Sequence, residues 1–287
     1  MKLVPFARRV GRTLLAICAL PVATLSGQIA APADTTKRPD NTTKRPEKLF
    51  TPKDAALLVG FAGATLAMYP VDKSMAQRLQ NENSFASKSI NQWANGFDYL
   101  AWPGVFVMSA GSYAVGKLTS HPDMADFGWH TTEAIIVGAG LTEVLKGTIG
   151  RSRPFVSADT NPRDFKFGAG WSNDDRRSFP SGHATIAFSA ASAATSEVQR
   201  LWPKYTWVAG TVFYGSATMV GLARMYQNQH WASDVALGAG IGTFAGLKTV
   251  RYTHIHPNSY LDRILLGTTI APDGRGGALV SWSTPIR

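Results

Sequence analysis

Three short segments hold nearly all the residues whose types and spacing suit chemistry. The first is Lys146-Gly-Thr-Ile-Gly-Arg-Ser-Arg153-Pro154, at the end of a predicted helix. Its glycines and proline let the chain turn, so that Lys146 and Arg153 can converge on one anion. Lysine brings a compact charge and arginine a planar fork that matches phosphate oxygens. Basic residues at a helix C-terminus also suit the helix dipole alone. The second is Pro180-Ser181-Gly182-His183, ahead of the apolar run 184–194. Ser181 is a natural N-cap, and Gly182 leaves the first-turn amides open to an anion. His183 then sits close enough to donate a proton to a leaving group. A capped helix with a surface histidine gives the same string. The third segment runs from Arg224 to His230 and Asp234. On a helix, His230 and Asp234 share a face. Asp234 can then accept from one ring nitrogen of His230 and leave the other as a nucleophile. A purely structural His–Asp pair would use that spacing too.

Together the three segments predict a phosphate-sized oxyanion pocket built from Lys146, Arg153, Ser181, Gly182, His183, Arg224, His230 and Asp234. Their order and spacing resemble the type 2 phosphatidic acid phosphatase (PAP2) and vanadium haloperoxidase superfamily, which includes bacterial class A non-specific acid phosphatases. The matching residues are Lys146…Arg153-Pro154, Pro180-Ser181-Gly182-His183 and Arg224…His230…Asp234; Ala223 stands where the pattern often has Ser. The resemblance covers roughly residues 51–250. It implies a metal-independent phosphatase acting on phosphate monoesters of lipid, isoprenoid or soluble type. His230 would form a phospho-histidine, Asp234 would orient it, and His183 would protonate the departing alcohol. Lys146, Arg153, Ser181, Gly182 and Arg224 would hold the phosphate oxygens. The expected cofactor is none. In the alternative, a haloperoxidase, the pocket would hold vanadate on His230; a further alternative is a non-catalytic phosphate-binding module. His121, His130, His254 and His256 show no comparable context, although His254 and His256 could take up a metal adventitiously.

Helices must position these segments. Apolar residues at helical spacing predict helices over 51–69, 97–117, 123–148, 182–200, 204–224 and 231–249. The expected fold class is therefore all-α, a bundle of about six core helices with a short C-terminal β-hairpin-like extension. The hairpin is read from apolar runs 265–271 and 278–283 flanking the turn-rich 272–277. Residues 155–179 form a polar stretch between the first two segments, suited either to a lid that sets specificity or to a plain surface loop.

The chain has 287 residues, 45% of them hydrophobic, a net charge of +10 and a mean hydropathy of −0.06. The basic residues form no nucleic-acid module, so the expected partner is a phosphorylated small molecule or lipid, with membrane-surface contact possible and no nucleic acid. Lys2, Arg8, Arg9 and Arg12 followed by an apolar run predict a signal peptide over 1–30. Its run contains Cys18, the only cysteine, so a mature chain would lack cysteine chemistry. Residues 31–50, with the repeat Thr-Thr-Lys-Arg-Pro, read as a tether; 51–255 form the phosphatase-like domain and 256–287 the C-terminal extension. Short segments broken by Gly, Ser and Pro favour a soluble, exported bundle, periplasmic or extracellular. The alternative is membrane-bound, with the site facing outside the cytoplasm.

Overall fold

The computed structural model describes residues 48–80, 88–256, 259, 268–272 and 278–282. The expected signal peptide and residues 31–47 of the expected tether lie outside them. Eight α-helices follow in order: α1 Pro52–Met68, α2 Asp72–Leu79, α3 Lys88–Tyr99, α4 Val105–Leu118, α5 Pro122–Ile149, α6 Gly182–Leu201, α7 Thr206–Tyr226 and α8 Ala232–Ile255. Helices α5, α6 and α8 form the centre. Helix α8 packs on α6, α1 and α5, while α4 covers α5 and α3 covers α7.

Small residues set how closely the central helices approach. Gly238, Gly242 and Gly246 lie one turn apart on α8 and face the α6 backbone. A Cβ on them would stand 2.6 Å from the Ser181 carbonyl oxygen, 2.4 Å from that of Thr185 and 2.6 Å from that of Ser189. Only glycine permits this contact, which fixes the register between the N-termini of α6 and α8. The apolar core is correspondingly rich in alanine, with Ala187, Ala191, Ala217 and Val220 buried around Ala101.

The ends of the helices follow from local chemistry. Pro52 and Pro122 occupy first turns, where a missing N–H costs nothing. Asp54 accepts from the Thr51 N–H at 2.5 Å and caps α1. Gly150 closes α5 in the left-handed region, at φ 63°, and its N–H reaches the Lys146 carbonyl at 3.2 Å. A Cβ there would fall 1.9 Å from the Lys166 carbonyl oxygen.

The fold-class expectation needs correction. The all-α bundle of about six core helices stands, with two further short helices, α2 and α3, and no β-strand forms between residues 88 and 256. The helix expected over 97–117 is two, because the chain leaves helical geometry at Trp102-Pro103, where Trp102 is extended. Helices α2 and α3 are short and polar, so they carry little apolar periodicity. The C-terminal extension is no element of the bundle. It is a two-stranded antiparallel ladder, β1 Thr268–Pro272 with β2 Ala278–Trp282, in which Thr268 faces Trp282 and Pro272 faces Ala278. Pro272, expected in the turn, ends a strand instead, where the lack of an N–H interrupts no interior pairing.

Helix α1 has no buried residue, although it is apolar around its whole circumference. With α2 it forms the one stretch among the described residues, Pro52–Leu79, long and apolar enough to cross a membrane.

Candidate active site

The eight predicted pocket residues come from the C-terminal end of α5, the N-terminal ends of α6 and α8, the C-terminal end of α7 and the turn after α5. Ser181 is fully buried at the N-cap of α6; its Oγ accepts from the Ala184 N–H at 3.5 Å, and its own N–H donates to the Asp234 carbonyl at 3.0 Å. That last bond ties the second segment to the third. Lys146 extends to Gly182: a Cβ there would lie 2.9 Å from Nζ. Burial pushes the Lys146 ammonium down from its ordinary value, opposed by Glu143 and reinforced by Arg153, Arg177 and Arg224.

His230 is buried, and its Nδ1 lies 2.7 Å from the Ser178 carbonyl oxygen. A carbonyl only accepts, so Nδ1 carries the proton and Nε2 the lone pair. Asp234 Oδ2 is 3.6 Å from the same nitrogen, beyond a hydrogen bond. The shorter bond to Nδ1 is therefore that of Ser178, while Asp234 stands close to the ring. Its oxygens instead take the Arg151 guanidinium at 2.5 Å, the Ser178 hydroxyl at 2.5 Å and the Trp231 N–H at 2.8 Å. Asp234 thus fixes the Ser178 segment whose carbonyl fixes His230. Burial pushes the His230 imidazole down to about 3, with Lys146 and Arg224 adding to the fall and Asp234 opposing it. The ring is therefore neutral at ordinary pH.

His183 is partly exposed, with Nε2 3.3 Å from Asp98 Oδ1. The same Asp98 oxygen pairs closely with Arg224. Burial pushes His183 down to about 4, reinforced by Arg224, Lys146 and Arg153 and opposed by Asp98. Arg224 also donates to Gln227 at 2.7 Å, and its Nε is buried with no hydrogen-bond partner. Arg153 is held by Gln229 and by the Asp174 carbonyl at 3.2 Å. A lysine, two arginines and two imidazoles thus gather at one place with few acids among them, an arrangement that favours an anion bearing several oxygens.

Sequence reasoning missed the frame beneath these residues. Arg151 is fully buried between Asp72 and Asp234, at 2.7 and 2.5 Å, and also donates to the Pro162 carbonyl and to Ser233. Tyr69, Phe165, Phe179 and Trp231 surround its guanidinium, each ring centroid within 5.2 to 5.7 Å. Asp72 also accepts from the Ser233 N–H at 2.8 Å and hydroxyl at 2.6 Å. Only Arg151's place between Lys146 and Arg153 hinted at a role. The 155–179 stretch is well bonded: Arg176 forks onto Asp164 at 3.1 and 3.0 Å, the Arg153 N–H donates to the Asp175 carbonyl at 2.9 Å, and Arg177 reaches Gly170 at 2.9 Å as well as Glu143.

The chain matches the family described as the PAP2 superfamily over residues 127–256. It is 42% identical over 69 residues to a lipid A 1-phosphatase of Porphyromonas gingivalis, a match covering 24% of this chain and 15% of that protein. It is 27% identical over 206 residues to a lipid A 1-phosphatase of Rhizobium etli, covering 68% and 82%. The chain therefore spans only a small part of the first relative and most of the second. Its fold is similar to that of a transmembrane PAP2-type phosphatidylglycerolphosphate phosphatase from Bacillus subtilis, with a TM-score of 0.52 and 18% identity over 70% of this chain and 96% of that one. All three motif segments lie inside the matched region, so residues 127–256, 130 of the 287, are similar to the PAP2 superfamily.

Proposed function

We propose that this protein is a membrane-bound phosphatase that removes phosphate from a lipid-borne phosphate monoester through a phospho-histidine at His230. The observation that carries the reading is the state of His230: Nδ1 is tied to the Ser178 carbonyl, so the lone pair is on Nε2 of a neutral ring among cationic side chains. Nε2 attacks phosphorus as the ester P–O bond breaks. The departing oxygen takes a proton from His183, whose affinity for that proton rises when a phosphate dianion sits beside it. Water then attacks the phospho-histidine, giving its proton to His183, and phosphate leaves with His230 restored. Lys146, Arg153 and Arg224, with Ser181 and the Gly182 amide, hold the equatorial oxygens, where transition-state charge accumulates. The unpartnered Arg224 Nε is a donor available to such an oxygen.

The lipid preference rests on the all-round apolar, unburied α1 and on the names of the relatives, both lipid A 1-phosphatases. The test compares phosphate release from a lipid phosphate in mixed micelles with release from a soluble aryl phosphate, for the wild type and His230→Ala. The expected result is faster turnover of the lipid, an acid-labile phosphoenzyme in the wild type on rapid quenching, and loss of at least about 10³-fold in kcat for the variant. Wild-type turnover by His230→Ala would overturn the mechanism, and equal use of both substrates would overturn the lipid assignment.

A further inference from the structure

The end of the bundle remote from the pocket holds a second cluster of ligand-type side chains. His130 on α5, Glu197 on α6 and His254 on α8 meet there, although they are 57 to 67 residues from Glu197 along the chain. His130 Nδ1 lies 2.7 Å and His254 Nε2 lies 2.9 Å from one oxygen of Glu197, Oε1. Each lies 14 to 20 residues along its helix from a pocket residue, roughly 20–30 Å at ~1.5 Å per residue. The pocket chemistry therefore does not use them.

We propose that His130, Glu197 and His254 form a binding site for one divalent transition-metal ion of the zinc type. Two imidazole nitrogens and a carboxylate oxygen are a donor set such ions favour over magnesium or calcium. The three ligand atoms lie within 4.8 Å of one another. A tetrahedral ion with bonds of ~2.1 Å holds its ligand atoms ~3.4 Å apart, so the two nitrogen–oxygen contacts, at 2.7 and 2.9 Å, open by roughly half an ångström or slightly more while the triad stays within 4.8 Å. Ligation uses a ring lone pair, so the proton of each coordinating nitrogen moves to the other nitrogen of its imidazole.

The surroundings fit a dication. Arg200 Nε holds the second oxygen of Glu197 at 2.9 Å, which orients Oε1 towards the histidines. Asp123 and Asp126 stand 3.8 Å from the same guanidinium. Three carboxylates thus stand around this guanidinium, with Lys117 also close to Asp126. Glu197 and His130 are buried, and the His254 side chain is 35% exposed. An ion can therefore enter past His254 and keep water in a fourth position.

The test uses the purified full-length chain, stripped with chelator and titrated with Co²⁺ and Zn²⁺, with Mg²⁺ as a comparison. The expected result is one equivalent bound, visible Co²⁺ absorption bands typical of four-coordination, and a rise in melting temperature with Zn²⁺ but not Mg²⁺. His254→Ala should weaken binding at least about tenfold and leave phosphate release unchanged, while His256→Ala should leave binding unchanged. Glu197→Gln is the second variant, read in the same way should His254→Ala not fold. Absence of saturable binding in the wild type, undiminished binding in a folded triad variant, or loss of binding in His256→Ala instead would overturn the site.

Discussion

Asp98 connects two groups of the proposed phosphate site, His183 and Arg224. It pairs with Arg224 and lies 3.3 Å from His183 Nε2. Among the groups acting on His183 it is the acid that holds the proton on, against burial and three cations. Asp98→Asn removes that support, so His183 loses its proton at a lower pH. A general acid works only while protonated; the alkaline limb of the kcat/KM profile should therefore shift towards acid by up to about one unit. An unmoved limb would show that His183 is not the group that titrates. The sequence made His183 and Arg224 visible because short motifs hold them. It could not show Asp98, which reaches them from α3 across 85 and 126 residues of chain and belongs to no motif. The same holds for Arg151: its string places it beside Lys146 and Arg153, the expected anion holders, but only the fold reveals that it faces inward to Asp72 and Asp234. The spacing of His230 and Asp234 places them side by side, at 3.6 Å, but does not show that the ring's shortest bond is to the Ser178 carbonyl or that Asp234 also serves Arg151, Ser178 and Trp231.

At the scale of elements, the pocket depends on how closely α6 and α8 approach. A methyl group on Gly242 would lie 2.4 Å from the Thr185 carbonyl oxygen, 2.8 Å from the Ser189 nitrogen and 2.9 Å from the Phe188 Cβ. Two of these are backbone atoms, which cannot swing aside. Gly242→Ala should therefore push the helices apart and cost about 1–3 kcal/mol. It should also lower kcat, because a 1 Å shift between His183 and His230 is worth about 10²-fold. Gly140→Ala is the control: its Cβ meets nothing within 4 Å, and helix propensity makes it neutral or stabilising by up to about 1 kcal/mol. Melting temperature and kcat for the pair check the argument, and equal behaviour would refute it. The Gly and Ala richness of these segments is plain in the sequence and suits such close packing. The long central helices were legible for the same reason, since their apolar positions recur at helical spacing. What periodicity could not supply was the break at Pro103, the short polar α2 and α3, and the meeting of His130 with His254, which sequence reading had set aside as histidines without context.

For the whole molecule the question is where its apolar surface lies. The mean hydropathy of −0.06 averages the apolar helices with polar stretches such as 31–50 and 155–179, and so concealed the contrast between them. In the folded chain the contrast is spatial. Val59 and Leu66 on α1 are 72% and 73% exposed, and Val107 on α4, Ile136 and Val144 on α5 and Val212 on α7 also face outward. A helix apolar on every side is buried in protein or in lipid, and α1 is not buried in protein. Exposed apolar area spread over several helices is costly in water and marks a surface covered by something else. A bilayer would satisfy it, with the apolar part of Pro52–Leu79 as the candidate span and Asp72, in the polar helix that follows, held by Arg151 and Ser233. This geometry favours the membrane-bound alternative over the freely soluble exported form, and it would bring a lipid head group to the pocket while its chains stay in the bilayer. The full-length chain should therefore sediment with membranes, resist extraction by high salt and alkaline carbonate, and come free with detergent. Salt and carbonate remove proteins held by surface charge, whereas detergent replaces lipid around apolar surface. Recovery in the soluble fraction without detergent, as a monodisperse active enzyme, would overturn the membrane assignment and leave the phosphatase chemistry to be tested on soluble esters alone.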